Sequence, residues 1–425
     1  MMVSLVRRFA PLLVDHPGFR WLWLARTVSQ VGDVAGYVAM LLFVRELSGG
    51  SGLALATLAV AQGLPAFLVG PFAGLVADRF HRTHVMIASD LASALLYALL
   101  PFATAAPQVY AVALLARLAL TFFNPARAAL LPDLLPKNRL VAANAFMQAT
   151  FSAMLIVGPA VGAMLVAAFG YTAAFWFNAA SFALSAVFAS RIVAPKPAMQ
   201  AHESLRHAAA SVRRDLGEGW RALVTSPALK TLFTVELFMV AGMVSFDVLE
   251  VLFIKDVLGA TDAQYGAVIT AAGVGGVLAG LTLPRLTRRW RDATLWAMFA
   301  ALFAFSFFPY ANTRLYGLVL VMVLMQMFAW IGYSTLQASL LQRLVPDAVR
   351  GRIFGLAETM AGGTRMTIVV VFGVLVDSLG IVTVFNIAGL IVTLGAVVAL
   401  LRARRLQDAA DDQAGVAVSV AEPAA

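Results

Sequence analysis

The chain contains no cysteine, which excludes disulfides, thiolate metal sites and cysteine nucleophiles. That absence says nothing about compartment, since a chain packed inside a bilayer needs no covalent staples. Its five histidines are scattered without metal-ligand spacing. Charge is scarce as well: Asp, Glu, Lys and Arg are 12% of the residues, against about 25% in ordinary soluble domains. No paired histidines, nucleophile motif or nucleotide-binding loop is present, so the signatures of a membrane enzyme are missing.

What fills the chain is apolar. Hydrophobic residues make up 61% of 425, where soluble domains carry about 45–50%, and a soluble fold cannot hide so much. A membrane-crossing helix needs about 20 apolar residues. Apolar segments lie at 19–46, 52–78, 84–106, 108–131, 140–168 and 172–193, then at 229–254, 263–284, 292–311, 315–341, 353–378 and 381–401. These long runs lack the alternation of barrel strands, and lipid requires every backbone group to be paired internally. The expectation is an all-α polytopic membrane protein of twelve spans.

The net charge of +9 raises the question of a nucleic-acid partner, which the positions of the bases answer in the negative. With a cytoplasmic N-terminus, Arg79, Arg82, Arg127, Lys137, Arg139, Arg285, Arg288, Arg289, Arg350, Arg352 and Arg402 all fall inside. Only Arg45, Lys255 and Arg314 fall outside, as the positive-inside rule requires of a cell-membrane protein with both termini in the cytoplasm. Near the start, Arg7 and Arg8 precede a short apolar patch broken by Asp15, His16 and Pro17, without a small-x-small cleavage site. This reads as a lipid-surface helix rather than a cleaved signal.

The segments divide into a six-helix bundle at 1–193, a cytoplasmic linker at 194–228, a second six-helix bundle at 229–405 and a disordered tail at 406–425. In the linker, Leu205, Ala209, Val212, Leu216, Trp220 and Leu223 recur at helical spacing beside Arg206, Arg213, Arg214 and Arg221. Such an amphipathic helix lies on the lipid surface or against the bundle, with a simple tether as the alternative. The halves resemble each other: LLPDLLPKNRLVAAN at 130–144 parallels LLQRLVPDAVRGRIF at 340–354, and Phe177-Asn178 parallels Phe385-Asn386. Duplication of a six-helix unit explains both.

Motifs follow this frame. The stretch from Gly70 to His84 ends one span in Asp78-Arg79-x-x-Arg82 and enters the next. With Gly74, Ala77, Asp78, Arg79 and Arg82 matching, it resembles the loop between spans 2 and 3 of the major facilitator superfamily of secondary transporters. Gly158-Pro159-x-x-Gly162-Ala163 in span 5 resembles the signature of that family's proton-driven antiporters. Arg117 in LLARLALTFFNPA resembles the family's buried span 4 arginine, associated with proton coupling. LPDLLP to AAN after span 4 and Arg350-Gly351-Arg352 before span 11 extend the resemblance to a drug-exporter branch that includes macrolide and siderophore exporters. The resemblance implies two six-helix halves around a site near the bilayer midplane.

Several residues are then candidates. Gly74, Asp78, Arg79 and Arg82 form a gating loop whose charges meet the N-terminal end of span 11 when the cytoplasmic side is closed. Pro159 removes a backbone donor from span 5, while Gly158 and Gly162 permit close approach by Gly276 and Gly280 of span 8, with Gly273 one turn earlier. Ordinary close packing accounts for the same glycines. Ionisable groups inside spans are costly and seldom idle. Arg26 and Asp33 share a face of span 1, and Asp33 is the expected proton carrier with Arg117 tuning it, because a nearby cation favours the charged form of a desolvated acid. Glu236 and Glu358 are alternative carriers. Glu358 and Arg365 share a face around Gly362-Gly363 and are expected to pair with each other or with the Asp78 loop. Asp247 and Glu250, near the outer mouth, read as helix-end charges answering Lys255, with attraction of a cationic or amphiphilic substrate as the alternative, and Asp90 as a structural partner of the nearby basic loop.

The function expected from the resemblance is proton-coupled export of small amphiphilic molecules by alternating access, with the proton gradient as energy source, no cofactor, and a monomer in contact with lipid. An importer or lipid flippase of the same fold is an alternative, and a receptor or scaffold with a transporter-like fold is one of a different class.

Overall fold

The computed structural model describes residues 11–136, 139–193, 214, 217–345 and 350–421. All its regular structure is helical: α1 (Pro17–Leu47), α2 (Gly52–Arg79), α3 (Arg82–Tyr97, followed by a 3-10 turn) and α4 (Ala106–Leu134) precede one long stretch, Leu140–Ser190. That stretch breaks at Gly170, where φ is 78° and ψ 175°, a conformation open essentially to glycine alone. Its two arms are α5 (140–169) and α6 (171–190). Then come α7 (Pro227–Leu252, extended by a π turn, Phe253–Val257), α8 (Asp262–Leu286), α9 (Asp292–Asn312), α10 (Tyr316–Leu344), α11 (Arg350–Leu379) and α12 (Ile381–Ala421). Among the described residues eleven stretches are long and apolar enough to cross a membrane, and the break at Gly170 makes them twelve helices.

The chain forms two compact units, residues 1–205 with 260–270, and residues 206–259 with 271–425. In the first unit α1 packs along both arms of the α5–α6 stretch, α2 against α4, and α3 against α4 and α6. Small residues allow this: a Cβ at Gly32 of α1 would strike Asn178 and Ser181 of α6, and one at Gly36 Asn178. At one end Leu12 packs with Phe19, Met86, Phe123 and Leu130. The chain just before α1 is thus held on the bundle rather than laid on lipid; residues 1–10 fall outside the described residues. In the second unit α7 packs against α11 and α12, and α9 against α10 and α12. Trp296, Phe303, Phe307, Tyr310 and Tyr333 fill its centre.

Most of the linker lies outside the described residues; within it 217–225 is helical and rests on the second unit, one of the two placements expected for an amphipathic helix there, while the expectation for the tail changes. Leu223 is buried, Gly219 lies against the backbone of Arg352, and Glu218 pairs with Arg352. The tail expected to be disordered after Arg405 instead continues α12 to Ala421. Leu406 and Ala410 are buried, Gln407 Oε1 accepts from Ala293 N at 3.1 Å, and Asp411 pairs with Arg291 at 2.6 Å. Gln407 thereby supplies the first turn of α9 with an acceptor that its own helix cannot provide. Truncation after Arg405 should lower stability by about 2 kcal/mol through the lost cap and buried leucine. A thermal unfolding midpoint equal to that of the full chain would contradict this.

Candidate functional site

In the first unit a polar cluster sits deep in the bundle. Asp33 lies near the middle of α1, and Arg117 of α4 donates from Nη1 to its Oδ2 at 3.3 Å. The same guanidinium donates from Nε to Gln62 Oε1 of α2 at 2.8 Å. Tyr97 of α3 donates from its hydroxyl to Asp33 Oδ1 at 3.4 Å. Four helices therefore contribute to one cluster, and the fork of the arginine bridges the acceptors on α1 and α2, which a lysine could not do. The pair is not sealed: the Asp33 side chain is 18% exposed and that of Arg117 29%. Arg26, one face-repeat before Asp33, lies over the Phe123 ring at 5.9 Å rather than in this cluster.

Among the described residues Asp90 does not pair with the basic loop. It is wholly buried on α3 and accepts from the Ser185 hydroxyl of α6 at 2.6 Å, because α3 packs on α6 at that level. The loop's own Arg82 pairs with Asp133 of α4 and donates to Ala129 O at 2.9 Å. The side chains of Gly74, Asp78 and Arg79 fall outside those described, although α2 runs to Arg79.

In the second unit three acids have separate partners. Tyr333 of α10 donates to Glu236 at 2.8 Å. Arg365 pairs with Asp247 at 3.2 Å, not with Glu358, because α11 packs on α7 and brings the arginine there. Glu358 is exposed on α11 and lies with Arg365 within electrostatic reach of Glu236. Glu250 is no helix-end charge facing water. It is 9% exposed, accepts from Tyr310 at 3.1 Å, and is enclosed where Phe246, Phe253, Tyr310 and Phe385 pack ring on ring. The π turn begins three residues later. Tyr310→Phe removes that donor and should cost about 1–3 kcal/mol, whereas Glu250→Gln should cost less. Equal thermal midpoints for Tyr310→Phe and the parent would refute the assignment.

The glycines are placed differently from expectation. A Cβ at Gly162 would lie 2.5 Å from Ala35 O, and one at Gly158 2.7 Å from Val34 Cβ. This side of α5, with Pro159 between, is turned to α1. Gly276 lies beside Met327 and Ile331 of α10, and a Cβ added at Gly280 would meet no group of another element within 4 Å. The one close approach of α8 to α5 among these small residues is Gly266 against Ala163, 2.8 Å for an added Cβ.

The family model of the Major Facilitator Superfamily matches residues 22–366 and, overlapping, 237–422. The chain belongs to the major facilitator superfamily. It is 28% identical over 372 residues to the multidrug efflux pump Tap of Mycolicibacterium fortuitum, covering 84% of this chain and 88% of that protein. To macrolide efflux protein A of Streptococcus pyogenes it is 23% identical over 391 residues, 89% and 94% of the two chains. The crystal structure of the nucleoside transporter NupG superposes with a TM-score of 0.76 at 14% identity, over 90% of this chain and 99% of that one, a likeness of fold. As a member of this superfamily the protein is a multi-pass membrane transporter of small molecules, not an enzyme.

Within that superfamily frame, the sequence had pointed to Asp33, Arg117, Glu236 and Arg365 but not to the neutral residues that hold them. Gln62, Tyr97, Tyr333 and Tyr310 carried no motif. A signal existed in one case: Asp133 sits inside the LPDLLP stretch and is the partner of Arg82.

Proposed function

We propose that the protein is a proton-coupled exporter of small amphiphilic molecules, working as a single chain in the cell membrane with both termini in the cytoplasm. The observation that carries the reading is the Asp33–Arg117 pair, half-way through the bundle and partly exposed. The carboxylate and the guanidinium come from different helices, and Arg117 has a second acceptor in Gln62 to steady it if the pair opens. Protonation is thereby tied to helix movement, and helix movement to the side on which substrate is bound. Efflux-pump relatives at low identity support export, and the distribution of bases supports the orientation. The aromatic and methionine content of the spans suits bulky amphiphiles with little discrimination.

The test is a resistance and accumulation screen in cells with and without the gene, across dyes, macrolides and siderophores, followed by assays in sealed inverted vesicles. Proton-driven accumulation should vanish in Asp33→Asn and survive in Glu236→Gln and Glu358→Gln. The reverse pattern makes Asp33 the wrong residue, and greater accumulation in cells carrying the gene makes the protein an importer.

A further inference from the structure

Asp90 has surroundings that do little to hold a charge. Its residue is 0% exposed. Ser185 donates to Oδ2, while Oδ1 is buried and meets no donor. Among the described residues no cation forms an ion pair with it. Ser89 and Ser93 along α3 and Ser181 along α6 are buried too, but the Ser93 and Ser181 hydroxyls are spent on the backbone carbonyls of Ser89 and Asn178. An ionised carboxylate out of water requires a partner and several donors, and one hydroxyl is neither. A neutral carboxylic acid needs far less.

Among the described residues, Arg26 of α1 is the charged group within electrostatic reach of Asp90. It also senses Asp33, Arg117 and Arg127, rests on Phe123, and makes no ion pair among the described residues. Of these groups Asp33 and Arg117 form a closed pair, whereas Asp90 and Arg26 do not pair with each other in this conformation.

We propose that Asp90 is a second proton-binding site of the first unit, protonated in this conformation, with Arg26 as the counter-charge that receives the carboxylate when the proton leaves. The step is an acid dissociation. The O–H bond breaks, its electron pair stays on the carboxylate oxygen, and the proton passes to water admitted as the helices rearrange. Its use in transport rests on the proton-coupled reading above; the protonation itself does not.

Infrared spectra of the full-length protein in lipid nanodiscs test this, because a protonated acid gives a C=O stretch separate from the carboxylate bands. At neutral pH, the spectrum of the parent minus that of Asp90→Asn should contain a protonated-acid component. Carboxylate bands in its place overturn the proposal. Should Asp90→Asn fail to fold, Ser185→Ala gives the same answer: loss of the hydroxyl should move a protonated-acid component to higher frequency, and a change confined to carboxylate bands is fatal. Alkaline titration should convert the component to carboxylate, with half-conversion of Arg26→Gln needing a proton concentration about tenfold lower than the parent. Identical titrations would remove Arg26 from the proposal. If the Asp90 component is found while ethidium efflux from the same protein in proteoliposomes proves independent of the proton gradient, the site stands and the proposed function fails.

Discussion

Replacing Arg117 by alanine should abolish uphill efflux and destabilise the first unit by about 2–3 kcal/mol, less than the cost of removing one partner of a fully buried ion pair because both side chains keep some exposure. Two acceptors lose their donor at once, Asp33 Oδ2 and Gln62 Oε1, and only Tyr97 remains on the carboxylate. Arg117→Lys keeps the charge but cannot reach both acceptors in the fixed geometry of a guanidinium, so its loss should be intermediate. Neutralising the acid as well, in Arg117→Ala with Asp33→Asn, should restore most of the stability and none of the coupling. Thermal unfolding of the three variants in lipid, beside vesicle transport, separates these effects. An Arg117→Ala protein as stable as the parent would show that the pair contributes nothing to the fold.

Gly162→Leu should prevent accumulation of folded protein. The added Cβ would lie 2.5 Å from Ala35 O and 2.8 Å from Ala35 Cα, and backbone cannot swing aside as a side-chain tip can, so a cost above about 3 kcal/mol follows from overpacking. Gly158→Leu meets the Val34 side chain first and should be milder. Gly280→Leu, whose added Cβ would meet no group of another element within 4 Å, should change stability by no more than about 0.5 kcal/mol. Size-exclusion profiles of the expressed variants give the ranking. Equal yields of Gly162→Leu and Gly280→Leu would refute the α1–α5 contact.

The architecture was legible because lipid imposes it locally: a span must be apolar over its own length, and the turn at Gly170 falls between the apolar segments ending at 168 and starting at 172. The partners were not legible, since a hydrogen bond between helices depends on which faces meet. Glu358 and Arg365 share a face of α11, yet Arg365 pairs with Asp247 because α7 packs there. Glu250 looked like a helix-end charge because Tyr310, which donates to it, lies far along the chain. The tail was misread from its polar composition. Its alanines and charges suit a helix once Leu406 and Ala410 have a surface to rest on.

Gly170 and Gly380 share a positive φ of 78°, and each reverses the chain between two spans within a single residue. A ribosome therefore delivers α5 with α6, and α11 with α12, as hairpins that bring no polar loop to be hauled through the lipid. Each pair has to enter the bilayer together, because the turn leaves the first helix no slack to settle before its mate arrives. The finished protein offers proteases and antibodies no extended segment at either turn. A tag inserted at Gly170 or Gly380 would have to unwind helix ends.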